Sequence, residues 1–145
     1  MHKKWSHKDF AIVVLITSIW IHIGEVGRAI FIAFPRMEAF FGNRIAIGPM
    51  ELSNIIVWML WDILITMILV FILWLCINVF GNNSESILFA ATLTSVATIG
   101  VFWIASVNTG LGEWKTAFIV FPFAWVEMVI GAWIASKIYK KKSIT

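Results

Sequence analysis

Five ionisable side chains stand inside long apolar stretches of this sequence and are its main candidates for chemistry. They are His22, Glu25, Arg28, Asp62 and Glu127. A charged side chain at the centre of a bilayer costs about 2.5–3.5 kcal/mol on insertion scales, so it needs a partner, a bound proton or a watery cavity. Carboxylates near a histidine can bind a cation, exchange a proton, or act together as general acid and base.

The composition places the chain in a lipid bilayer, which is its expected partner. Hydrophobic residues make up 61% of the sequence and charged residues 13%, whereas about 25% of the residues of soluble domains are charged. The formal net charge of +3 comes from lysines near the two ends, where membrane topology explains them, so nucleic acid is not an expected partner. The single cysteine, Cys76, excludes an intramolecular disulfide and a cysteine-rich zinc site.

Four apolar stretches predict one all-α domain, residues 1–145, folded as a four-transmembrane-helix bundle. Each stretch is long enough for a spanning helix, which needs about 20 residues. The predicted spans are about 10–34, 53–80, 87–108 and 116–139. The first is expected to stop at Pro35, because proline disfavours helix in the residue before it. Residues 35–52 mix aromatic and charged residues, which indicates an interfacial or re-entrant segment between the first and second helices.

The regular rise of a helix brings three of the ionisable side chains to a similar depth. With both ends in the cytoplasm, His22 lies ~18 Å from the inner end of its span. Asp62 and Glu127 lie ~13 Å and ~16 Å from the outer ends of theirs. Glu127 also shares a stripe with Gly131 and Ala135, a spacing of small residues that marks a packed helix face. We therefore predict that His22, Asp62 and Glu127 share one cavity within the bundle.

These side chains also have a purely structural interpretation. Glu25 and Arg28 are three residues apart on a predicted helix and can neutralise each other. A lone histidine such as His22 is more often a hydrogen-bonded packing residue than a ligand. Once Arg28 is assigned to Glu25, Asp62 and Glu127 are left without a cation, and at least one acid is expected to hold a proton.

Aromatic and hydrogen-bonding residues near this level predict the walls of a pocket. They are Trp58, Trp61, Thr98, Trp103, Asn108 and Trp125. The commoner role of a tryptophan within a span is to face lipid or to pack in the core. Where such rings do line a cavity, their faces suit an apolar or a cationic ligand.

Three classes of function stay open on the sequence alone. The first is binding or transport of a small cationic or lipophilic ligand, with or without protons; transport through four spans would need a homo-oligomer or a two-state bundle. The second is a membrane-embedded enzyme whose paired carboxylates act as general acid and base on a lipophilic substrate. The third is a structural subunit of a membrane complex, with polar groups joining its helices. Because no metal, nucleotide or nucleophile motif is present, we assign no metal site, cofactor or catalytic residue.

The distribution of lysines predicts the topology. Lys3, Lys4 and Lys8 precede the first span, and residues 140–142 are lysines that follow the last. By the positive-inside rule, both termini lie in the cytoplasm of a multi-pass protein of the cell membrane. Reporter fusions at Met1 and at Thr145 are expected to report cytoplasmic locations, and ends on opposite sides would contradict the prediction.

Overall fold

The computed structural model describes residues 6–42, 44 and 51–144, and for residues 140–144 it describes the backbone alone. All regular structure in these residues is helical. Four helices are long and apolar enough to cross a membrane, as the sequence predicts. They span His7–Phe41, Leu52–Phe80, Ser84–Asn108 and Trp114–Tyr139, the last being part of a helix that continues to Ile144. The predicted all-α four-helix membrane bundle is confirmed.

The first helix does not stop at Pro35, so that prediction is wrong. A π-helical turn at Ala29–Ala33 leads into a further α-helical segment, Phe34–Phe41. Pro35 thus follows closely after the π turn, and the chain stays helical through it. The helix ends at Gly42, whose positive φ of 57° suits glycine. Of the predicted interfacial segment, residues 35–41 continue the helix, and residues 43 and 45–50 lie outside the described residues.

The second and third helices form an antiparallel hairpin. Gly81 ends the second helix with a φ of 86°, a conformation that favours glycine. Asn83 then caps the third helix by accepting a hydrogen bond from the backbone N–H of Ser86 at 2.9 Å. The third helix carries its own π-helical turn at Val96–Gly100. The first and the third helices thus each contain one π turn, and in each helix it lies in the half farther from the turn that joins the second and third helices.

All four helices contribute residues to one hydrophobic core. The first helix contacts the second and the fourth, and the third also contacts the second and the fourth. Gly131 lets the fourth helix approach the first, since a Cβ there would lie 2.8 Å from Cδ1 of Ile21 and 3.3 Å from Cδ2 of Leu69. Ala135, on the same stripe, is buried. The predicted packed face of small residues is therefore present, as expected where helices associate in lipid.

Filling the space at Gly131 should weaken the bundle. We predict that Gly131→Leu lowers the free energy of unfolding by about 1–3 kcal/mol, because the added carbons overpack the core against Ile21. Gly27→Leu is the matched control, since a Cβ at Gly27 meets no atom within 4 Å. Unfolding by sodium dodecyl sulfate, followed by tryptophan fluorescence in mild detergent, compares the two. Equal losses in the two variants would contradict the packing described here.

Candidate functional site

A histidine–aspartate pair joins the first helix to the second. Nδ1 of His22 lies 2.6 Å from Oδ2 of Asp62. Asp62 is buried within the second helix, and its other carboxylate oxygen, Oδ1, has no hydrogen-bond partner among the described residues. With Asp62 ionised, Nδ1–H of His22 donates this bond, which leaves Nε2 as an acceptor. The pair therefore holds one buried carboxylate oxygen and leaves the second available.

Arg28 bridges the other two acids. Its Nη2 pairs with Oε1 of Glu25, three residues earlier on the first helix, and its Nε donates to Oε2 of Glu127 on the fourth helix at 3.5 Å. All three side chains are more than nine-tenths buried. The expectation that Glu127 lacks a cation is wrong, because the planar fork of an arginine can serve two carboxylates at once. We call these three residues the Arg28 cluster.

A close approach of the first and fourth helices places Glu127 in this cluster. A Cβ at Gly24 would lie 2.6 Å from Cδ of Glu127, so the carboxylate lies directly over the glycine backbone. Next to it, Nε1 of Trp20 donates to the backbone carbonyl of Glu127 at 3.1 Å. Oε1 of Glu127 has no hydrogen-bond partner among the described residues. The absence of a side chain at Gly24 therefore positions the acid next to Arg28.

Two cavities meet beside these charged groups. The small chamber, of about 190 Å³, is lined by His22, Glu25, Val26, Ala29, Phe34, Ile55, Trp58 and Asp62. The large chamber, of about 360 Å³, is lined by Glu25, Arg28, Ala29, Ala33, Phe34, Met37, Val57, Trp58, Trp61, Ile99, Phe102 and Trp103. The rings of Phe34 and Trp58, which line both chambers, pack edge to face with centroids 6.3 Å apart. Glu25 also lines both, so one carboxylate lies at the junction of the two chambers.

The ionisable residues predicted from the sequence divide between the chambers. His22 and Asp62 line the small chamber, Arg28 lines the large one, and Glu25 lines both. Glu127 is not among the lining residues of either and reaches the site through Arg28. The predicted common cavity is therefore found for His22 and Asp62 but not for Glu127.

Of the predicted wall residues, Trp58, Trp61 and Trp103 line the large chamber, and the other three lie elsewhere. Oγ1 of Thr98 donates to the backbone carbonyl of Thr94 within its own helix. Nε1 of Trp125 donates to Oγ1 of Thr92 at 2.9 Å, which joins the third and fourth helices. Asn108 is the exposed last residue of the third helix. None of these three residues lines either chamber.

Sequence reasoning missed several contributors to the site, among them Gly24, Phe34 and Phe102. Gly24 carries a recognisable signal, since a small residue beside an intramembrane acid indicates close helix packing. Phe34 could not be placed, because the π turn before it inserts a residue and rotates everything beyond it by about 100° relative to a regular helix. Phe102 shares this difficulty, since it follows the π turn of the third helix.

The acids of the site outnumber its permanent cations. Glu25, Asp62 and Glu127 are opposed by Arg28 and, when it is protonated, by His22. An uncompensated charge in a medium of low polarity is costly, so the site favours a bound proton or cation. Within the described ranges, no three His, Cys, Asp or Glu side chains are grouped so that they could hold a metal ion.

Comparison with protein-family models, with curated proteins and with solved structures finds no match for this chain. Its function therefore has to be inferred from the site itself. The arrangement provides an imidazole held by a carboxylate, an arginine shared by two further carboxylates, and two adjoining cavities with aromatic walls.

Removing the arginine should destabilise the fold through its two acids. We predict that Arg28→Met lowers the free energy of unfolding by about 3–5 kcal/mol, because Glu25 and Glu127 lose their buried cation. Adding Glu127→Gln should restore part of that loss, since one fewer carboxylate is then uncompensated. Arg36→Met is the control, because Arg36 makes no ion pair with a described residue. Denaturant melts of the four proteins measure the coupling, and similar losses for Arg28→Met and Arg36→Met would contradict a bridging role.

Proposed function

We propose that this protein binds a small lipophilic molecule in the large chamber. The supporting observation is a cavity of about 360 Å³ whose aromatic walls end at the Glu25–Arg28 ion pair. That volume lies within the range of ligand pockets, which are mostly apolar with a few well-placed polar groups. A cavity with such walls favours apolar molecules over water. The ion pair adds a hydrogen-bond donor and an acceptor at one end, so a ligand with a polar head group fits best.

The proposed route of entry is sideways from the bilayer. Trp58 and Trp61 line the chamber and are still 39% and 38% exposed, so this wall also faces the surroundings of the bundle. The lysine distribution supports a cell-membrane protein with both termini in the cytoplasm, which puts the chamber in the outer half of the membrane. Both π turns border the chamber, through Ala29 and Ala33 on one side and Ile99 on the other. Such turns are frequent at functional sites.

Binding is favoured over transport in the observed conformation. Towards the cytoplasmic ends of the helices, a cleft between Val13, Leu73 and Tyr139 has no room for a water molecule. Transport would require this inner half to open, by a change within the bundle or through association with a second copy. The proposed activity is therefore reversible capture of a ligand from the outer half of the membrane.

An enzyme acting on a lipophilic substrate is the second candidate function. It rests on the His22–Asp62 hydrogen bond of 2.6 Å, since a carboxylate that orients an imidazole is a common way to prepare a general base. His22 would then take a proton from a substrate in the small chamber. Recovery of an added ligand with an altered covalent structure by NMR, an isomer of equal mass included, would favour this candidate, whereas recovery unchanged would favour binding alone.

Filling the large chamber should block binding. We predict that a photoreactive decanol, added to the protein in lipid nanodiscs, labels peptides that contain Trp58, Trp61 or Trp103. Ala33→Phe places a ring in the chamber and should abolish this labelling, whereas Ala105→Phe adds the same ring at an exposed position and should not. Mass spectrometry of the labelled peptides gives the result. Labelling spread over lipid-facing residues, or unchanged by Ala33→Phe, would contradict the proposal.

A further inference from the structure

We infer that the small chamber binds the protonated amino group of the ligand, so that the ligands are lipophilic primary or secondary amines. This inference rests on the proposed function and assigns its ligand class. The amino group would lie between Asp62 and Glu25, and the apolar body would occupy the large chamber.

The first argument is an unused hydrogen-bond acceptor. Oδ1 of Asp62 is buried without a hydrogen-bond partner among the described residues, in a side chain that lines the small chamber. Buried polar atoms are nearly always hydrogen-bonded in folded proteins, so an atom of this kind indicates a missing donor. His22 already occupies the other oxygen. A protonated primary or secondary amine brings two or three N–H donors, whereas an alcohol brings one.

The second argument is charge. Among the described residues, Glu25 and Glu127 share the cation Arg28, and Asp62 pairs with His22. A cationic ligand would bring the site closer to neutrality, and in a low-polarity environment this favours it over a neutral ligand of the same shape. An anionic ligand would add to the excess of negative charge.

The third argument is the set of residues at the junction of the two chambers. The rings of Phe34 and Trp58 stand at the junction of the two chambers, where ring faces attract an ammonium group. Because Glu25 lines both chambers, a single molecule can place its head in one and its tail in the other. Hard metal ions fit less well, since Ca²⁺ prefers six to eight oxygen ligands and the small chamber is lined by two carboxylates in the described chain.

The experiment compares two ligands that differ only in the head group. In nanodiscs that contain the parent protein, decylamine and decanol each compete with the photoreactive decanol for the large chamber, and the loss of labelling measures the competition. We expect the amine to compete about tenfold more strongly, the factor that one charge-assisted hydrogen bond typically supplies. Decyltrimethylammonium, which is cationic without an N–H donor, should compete less strongly than decylamine. Equal competition by amine and alcohol overturns the inference and leaves the proposed function standing, and failure of every ligand to protect the chamber overturns both.

A variant then assigns the preference to Asp62. Asp62→Asn should remove the advantage of decylamine while labelling by the photoreactive decanol persists, and this labelling also shows that the variant is folded. Glu38→Gln removes an exposed acid near the outer end of the first helix and should keep the full advantage. An Asp62→Asn protein that still prefers the amine tenfold would contradict the assignment. The strength of competition by decylamine relative to decanol, measured on the parent protein, decides the ligand class even if this variant does not fold.

Discussion

The cost of burying charge in a membrane is the constraint on which the rest of this structure depends. Arg28 offsets that cost for two acids from different helices, so the first and fourth helices are joined by a shared cation as well as by apolar contact. Gly24 and Gly131 make this possible, because each leaves the space that a neighbouring side chain on the facing helix occupies. The polar and the small residues of these two helices therefore form one packing arrangement and not two independent features.

Much of the fold could be predicted from the sequence, because hydropathy and helix length determine how many times a chain crosses a bilayer. The similar depth of His22 and Asp62 followed from the regular rise of a helix. The direction in which each side chain points from its helix was less predictable, because each π turn changes that direction for every later residue of the helix. Phe34 and Phe102 both follow such a turn. The pairing of Arg28 with Glu127 was missed because a local partner, Glu25, accounted for the arginine.

The site combines two environments. A mainly apolar chamber with aromatic walls adjoins a smaller one that contains an incompletely hydrogen-bonded carboxylate. Either part alone would have an ordinary explanation, as a lipid-filled groove or as a structural hydrogen bond. Their junction at Glu25 and Trp58 suits one molecule with an apolar body and a positively charged head. In the proposed function, the aromatic residues hold the apolar body of the ligand and the excess of acids holds its head.

An experimental structure with a decylamine brominated at the far end of its chain tests this account most directly. The account predicts anomalous scattering from bromine within the large chamber, between Trp61 and Trp103, and density for the amino group beside Oδ1 of Asp62. Bromine found only on the lipid-facing surface, with the two chambers unoccupied by the ligand, would contradict it.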